Sequence, residues 1–325
     1  MYPKTHHPLS FYFLILIFLI IFPQHITAEK ETEQEMNEER LLLYKKTAAV
    51  TSIPWYYLAA MDQYERNIQS SEDKEEMISI QFDKHLWYGL GNISSITSPS
   101  MIALFQGIGK DGNGDGTANI NNDEDRLYTA AILLSKHGIS EDDIKISLWD
   151  YYQRDLTVKT IMNIAKVYKK MQKIDLPKRH FPVDMDYNYS YNNTWGHRRG
   201  FGGNRIHEGT DIFADFGTPV KASTYGVVEL KGWNVYGGWR IGVRDIHNIY
   251  HYYAHLHQYE DELEIGDVVQ PGDTIGTVGS TGYGPPGTSG KFPPHLHYGM
   301  YRDNGKVEWS FDPYPYLKTW EQSEN

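Results

Sequence analysis

Near its C-terminus the sequence reads PPHLHYGM, residues 293 to 300, with His295 and His297 one residue apart. In an extended chain, residues i and i+2 point to the same side, so both imidazoles face one target if this stretch is a strand. Upstream, RIHEGTDIF holds His207 and Asp211 at spacing four, and YYAHLH holds His255 and His257 at spacing two. Spacing four also returns a side chain to one face of a strand, and Gly209-Thr210 with the surrounding β pattern favours an extended segment over a helix. Two histidines and one carboxylate suit zinc with a fourth position left open. Zinc lowers the pKa of water towards ~7 and polarises a carbonyl. A nearby neutral imidazole can take the water's proton, and a further one can donate to the oxyanion. His207, Asp211, His255, His295 and His297 are enough groups for that metal-assisted hydrolysis. His257 shares a strand face with His255 and has no assigned part. His6, His7, His25, His85, His137, His180, His197, His247 and His251 read as ordinary surface histidines.

Composition narrows the chemistry. The 325 residues include no cysteine, so any metal must be held by His, Asp or Glu, and no disulfide contributes. The formal net charge of −11 argues against a nucleic-acid partner, which needs a basic surface. The length suffices for two domains with sizeable cores.

The elements that must position these residues divide the chain. Residues 1–28 carry an apolar run from Phe11 to Phe22, short for a membrane span, and Ile26-Thr27-Ala28 offers a small residue before a cleavage point. They read as an export signal, with an uncleaved anchor as the alternative and the only expected membrane contact. Residues 29–175 read as helical. Pro54 suits a first helical turn, Asp123 to Lys136 form a helix ended by Gly138, and Ser140 with Asp143 resembles a capping box. In this part Glu65 ends a stripe with Trp55, Leu58, Met61 and Asp62, where a carboxyl could have a raised pKa. The alternative is a solvated helix end paired with Arg66 or Asn67. Asp111, Asn113 and Asp115 begin a Ca2+-loop pattern over 111–122, but Asn122 stands where a glutamate is needed, and the alternative is an ordinary turn. Residues 176–194 read as a polar linker. From 195 to 318, short alternating runs between glycines and prolines predict a compact, mainly antiparallel β domain, followed by a tail over 319–325.

The β stretch from 195 to 301 resembles the M23 (lysostaphin-type) zinc peptidases of bacterial cell walls. The likeness rests on WGHRRGFGG, HEGTD, GTPV, YAHL, GDVVQPGDTIG, GSTG and HLH in that order. It implies zinc held by His207, Asp211 and His297, His295 as general base, and His255 as the partner that stabilises the transition state. Two departures stand out. YGPPGTSGKFPP, residues 283 to 294, lengthens a normally short link and would border the cleft, and Tyr298-Gly299-Met300 follows His297 where the family has an aromatic and an acid. IPWYYLAAMDQYE, DGNGDG and DRLYTAAILLSKHG are similar to lytic-transglycosylase (lysozyme-like) domains, in which a glutamate near Glu65 protonates the glycosidic bond; Arg66 departs from that pattern.

The whole order of parts resembles the peptidoglycan endopeptidases of endospore-forming bacteria. That implies an exported enzyme that cuts L-Ala–D-Glu bonds in cell-wall or spore-cortex maturation, with peptide stems as substrate and the helical part holding the glycan. The expected architecture is therefore multidomain, with an N-terminal all-α domain and a C-terminal β peptidase domain. Two other readings carry forward: a non-catalytic envelope scaffold of the same family, and a glycan-cleaving enzyme acting through Glu65.

Overall fold

The computed structural model describes residues 33–69, 76–200 and 203–324. The apolar run near the N-terminus lies outside them, and no helix among the described residues is long and apolar enough to cross a membrane. Residues up to 171 are helical: α1 (33–51), α2 (Trp55–Ile68), α3 (Lys84–Tyr88), α4 (Pro99–Leu104), α5 (Asp123–Leu134), α6 (Glu141–Tyr152) and α7 (Asp155–Met171). The starts follow local chemistry. Pro54 stands at the N-cap of α2, Asn122 accepts from the amides of Glu124 and Asp125 at the start of α5, and Ser140 with Asp143 closes a capping box at α6.

Asp62, on α2, organises the helical part. Its buried carboxylate accepts from the Tyr44 hydroxyl at 2.6 Å, the amides of Ser79 and Ile80, and Arg66 at 3.2 Å. Arg66 therefore serves Asp62 and not Glu65, whose partner is the Tyr152 hydroxyl at 2.5 Å. In the 111–122 loop the oxygens are engaged locally. Asp111 accepts from Gly114 and Gly116, Asp115 accepts from Thr117, and Asn122 caps α5.

The β part holds β1 (Tyr189–Tyr191), β2 (Arg198–Arg199), β3 (Arg205–Ile206), β4 (Thr210–Ala214), β5 (Pro219–Lys221), β6 (Gly226–Asn234), β7 (Gly238–Asp245), β8 (Ile249–Tyr259), β9 (Val268–Val269), β10 (Thr274–Val278), β11 (His295–Asp303) and β12 (Glu308–Phe311), then α8 (Tyr314–Glu324). Ten strands form one antiparallel sheet with the path β1-β4-β11-β8-β7-β6-β9, and β2 pairs β3 apart from it. Along β11, Leu296, Tyr298 and Met300 enter the core while His295 and His297 point the other way. Each large apolar side chain buried stabilises by about 1.5–3 kcal/mol, so a one-residue slip that exchanged the faces is strongly disfavoured.

Two boundaries differ from expectation. The 176–194 segment is built into the β body rather than linking to it: Phe181 and Val183 are fully buried, and β1 pairs β4. The expected tail belongs to α8, whose Leu317 and Trp320 seal the same core. In both segments the anchoring apolar residues are few and stand among polar ones.

The helical and β parts are docked firmly. Tyr225, Val227 and Ile246 from the β part pack into the helical core. Arg154, before α7, forms a bidentate pair with Asp303 at 2.7 and 2.8 Å, and the Asp303 side chain is fully buried.

Candidate metal centre

Strand register brings His297 and Asp211 together. The two are direct partners across β11 and β4. His207 lies just before β4 and reaches the same point past Gly209, where a Cβ would meet the Tyr298 carbonyl oxygen at 2.6 Å and the His297 ring at 2.7 Å. Only glycine permits that approach. His207 Nε2 lies 2.8 Å from His297 Nδ1 and 3.0 Å from Asp211 Oδ1, and His297 Nδ1 lies 3.1 Å from the same oxygen.

Nδ1 of His207 lies 2.8 Å from the Thr194 carbonyl. A carbonyl only accepts, so Nδ1 carries the proton and Nε2 turns a lone pair towards the other two atoms. Lone-pair-bearing atoms this close repel unless a cation or a proton sits between them. The edges of the triangle are near the roughly 3.3 Å separation of ligands bound tetrahedrally at 2.0–2.1 Å. Among the described residues, this is the group of His, Asp and Glu side chains that could hold a metal ion.

Further contacts fix the set. Arg199 pairs with Asp211 Oδ2, which leaves Oδ1 to the imidazoles. The Thr194 hydroxyl accepts from the Asp211 amide at 3.1 Å. Burial alone would raise the Asp211 carboxyl, but hydrogen bonds from His207 and His297 and the nearby imidazoles hold it far below the usual range. Thr194 and Arg199 carried no expectation. The only signal for Arg199 was its place in the WGHRR lead-in.

His295 and His255 stand beside the triangle. His295 Nε2 lies 3.8 Å from Asp211 Oδ1, and its Nδ1 donates to the Pro293 carbonyl at 2.8 Å. His255 donates from Nδ1 to the Thr281 carbonyl at 2.7 Å, and its ring centre is 4.8 Å from that of His295. Burial lowers the pKa of His295, and burial followed by repulsion from His295 and His297 lowers that of His255 strongly. Both shifts favour the neutral ring, in which Nε2 carries the lone pair.

His257 does not share the position of His255. The β7–β8 register runs Trp239 to Leu256 and Ile241 to Tyr253, so Ala254 and His255 together face Arg240 as a bulge. His255 has φ +62°. The bulge breaks the alternation and aims His255 inward, while His257 is exposed and stacks 4.3 Å from Phe216. His251, expected at the surface, is buried between Tyr298 at 2.6 Å and Asp245 at 3.2 Å.

These groups line a cleft of about 670 Å³ with Arg199, Arg205, Arg240 and several tyrosines. Tyr283 and Phe292 of the lengthened 283–294 loop form one wall, with Phe292 4.6 Å from His255 and 5.0 Å from His295, ring centre to ring centre.

Residues 205–309 match peptidase family M23. The chain is 52% identical to the L-Ala--D-Glu endopeptidase of Bacillus subtilis (strain 168) over 315 residues, 95% of this chain and 96% of that one.

The chain belongs to peptidase family M23.

This M23 peptidase is also 36% identical over 116 residues to lysostaphin of Staphylococcus simulans, covering 35% of this chain and 22% of that one. The crystallised catalytic domain of lysostaphin is 34% identical, covers 41% of this chain and 93% of its own, and has a TM-score of 0.32. Within the M23 peptidase, the matched stretch contains His207, Asp211, His255, His295 and His297.

Proposed function

We propose that the protein is an exported zinc endopeptidase that hydrolyses the L-Ala–D-Glu bond in peptidoglycan stem peptides, in cell-wall or spore-cortex maturation. The observation that carries this is the convergence of His207, Asp211 and His297 on one point of a cleft also lined by the His255 and His295 imidazoles. The choice of bond is supported by the near full-length similarity to an L-Ala--D-Glu endopeptidase.

In this reading His207 Nε2, Asp211 Oδ1 and His297 Nδ1 hold the ion. Zinc bound there would polarise the scissile carbonyl and acidify water. His295 Nε2 takes the water's proton and returns it to the leaving amine. His255 stabilises the oxyanion. Its Nδ1 proton is committed to Thr281, so Nε2 faces the cleft and takes up a proton only as negative charge develops on the substrate oxygen beside it. Tyr283 and Phe292 pack against each other and form the cleft wall beside His255.

Mass spectrometry of products from purified peptidoglycan tests the reading. Fragments with a new glutamate N-terminus are expected. Cleavage only at another bond would refute the assigned substrate, and full activity after chelation and removal of free zinc would refute the metal.

A second reading is glycan cleavage through Glu65 in a transglycosylase-like helical part. It is favoured by burial, which raises the Glu65 carboxyl to about 7 despite the Tyr152 hydrogen bond. Anhydro-sugar products that disappear in Glu65→Gln would support it.

A further inference from the structure

The cleft holds more positive charge than its own acids use. Arg199 is committed to Asp211. Glu208 accepts from the Tyr301 hydroxyl at 3.3 Å, and Glu308 pairs with Arg244 at 2.7 Å. Arg205 stacks on Tyr236 at the rim, 4.9 Å from its ring centre. Arg240 differs. Among the described residues it forms no ion pair; its guanidinium has a side-chain hydrogen bond with Tyr252, and its Nε is buried without a partner.

The position of Arg240 is informative. It is the β7 residue that faces the Ala254–His255 bulge, the irregularity that aims His255 into the cleft. Its guanidinium lies over Tyr252, 5.9 Å from the ring centre, and the Tyr252 ring is 5.9 Å from that of His297. One aromatic ring therefore separates this cation from the candidate metal ligands.

The substrate proposed above supplies a matching group. Glutamate carries two carboxyls. The stem peptide continues through one of them, and the other remains a free carboxylate within a few bonds of the scissile nitrogen. A planar guanidinium binds such a group with two parallel hydrogen bonds, which a lysine ammonium cannot reproduce. We infer that Arg240 is a specificity-determining residue that receives the free carboxylate of the glutamate following the cleaved bond. The inference deepens the L-Ala–D-Glu reading and rests on it.

Two synthetic stem peptides separate the possibilities. They are identical except that the free glutamate carboxylate of one is a carboxamide in the other. With the zinc-loaded full chain, kcat/KM is expected to favour the carboxylate by about 10- to 100-fold. Arg240→Gln should abolish the preference by slowing the carboxylate peptide, with the carboxamide peptide little changed and zinc content unaltered. Arg240→Lys should restore part of it.

Equal cleavage of both peptides by the unaltered enzyme would overturn the assignment, and this comparison decides even if Arg240→Gln fails to fold. A preference that survives in folded Arg240→Gln would also overturn it, as would an equal loss on both peptides. If neither peptide is cut while peptidoglycan is cleaved elsewhere, the L-Ala–D-Glu reading itself falls, and the role of Arg240 with it.

Discussion

Arg199 grips one oxygen of Asp211 while the other faces His207 and His297. The carboxylate is thereby left with one oxygen towards the imidazoles, and its plane is set by a residue from the separate β2–β3 ribbon. Partners of this kind orient a ligand without touching the ion.

Arg199→Ala should weaken zinc binding by about 10- to 100-fold. Competition with a chromogenic chelator measures this. His207→Ala and His297→Ala should go further and abolish stoichiometric zinc. Unchanged affinity in Arg199→Ala would mean that the β4–β11 register alone orients Asp211.

His295→Ala should keep its zinc and lose turnover by about 10²- to 10⁴-fold. His255→Ala should also keep zinc. The two should differ in their pH profiles. A base must be deprotonated, so His295→Ala should flatten the acidic limb of kcat/KM. His255 is held neutral with its Nδ1 proton on Thr281 and does not supply that base, so His255→Ala should lower turnover and leave the acidic limb in place. Two variants with the same profile would show that the imidazoles are interchangeable.

Glu65 makes stability depend on pH. Its folded-state carboxyl sits at about 7, above its ordinary value of 4.5, because burial disfavours the charge. The neutral form's advantage is complete below about 4.5 and is lost as pH rises through about 7. Glu65→Gln should therefore remove a decline of roughly 2–3 kcal/mol between those values. Urea unfolding at pH 4.5 and 8 gives the comparison, and an equal decline in both proteins would sink the claim.

Arg154→Ala should destabilise the chain by about 3 kcal/mol, because Asp303 would be left charged and buried. Asn248 still donates to the Asp303 carboxylate at 3.3 Å, which limits the loss. The unfolding midpoint reads this directly. A shift confined to one of two separate transitions would show that the helical and β parts unfold independently.

Much of the site was legible before any coordinates. Local spacing carries residues that share one strand, so the common face of His295 and His297 followed from their sequence positions. Capping chemistry is also local, which is why the start of α6 followed from Ser140 and Asp143. Partners far apart in the chain were not legible. Thr194 lay in a presumed linker and Arg199 in an unassigned lead-in, because a hydrogen bond across a fold leaves no periodic trace.

The pair His255 and His257 marks the limit most clearly. Two-residue spacing places both on one face of a regular strand. One extra residue in β8 against β7 changes that, and it is set by how three strands pair rather than by the strand's own sequence. The sequence by itself determined which groups are available: five residues able to bind metal or move protons, on extended segments with apolar residues between them. Tertiary structure alone decided which of them meet, which oxygen of Asp211 faces inward, and that Arg240 stands opposite the bulge without an acid of its own. Those outcomes depend on register and on contacts between distant segments, and both are fixed only when the sheet closes.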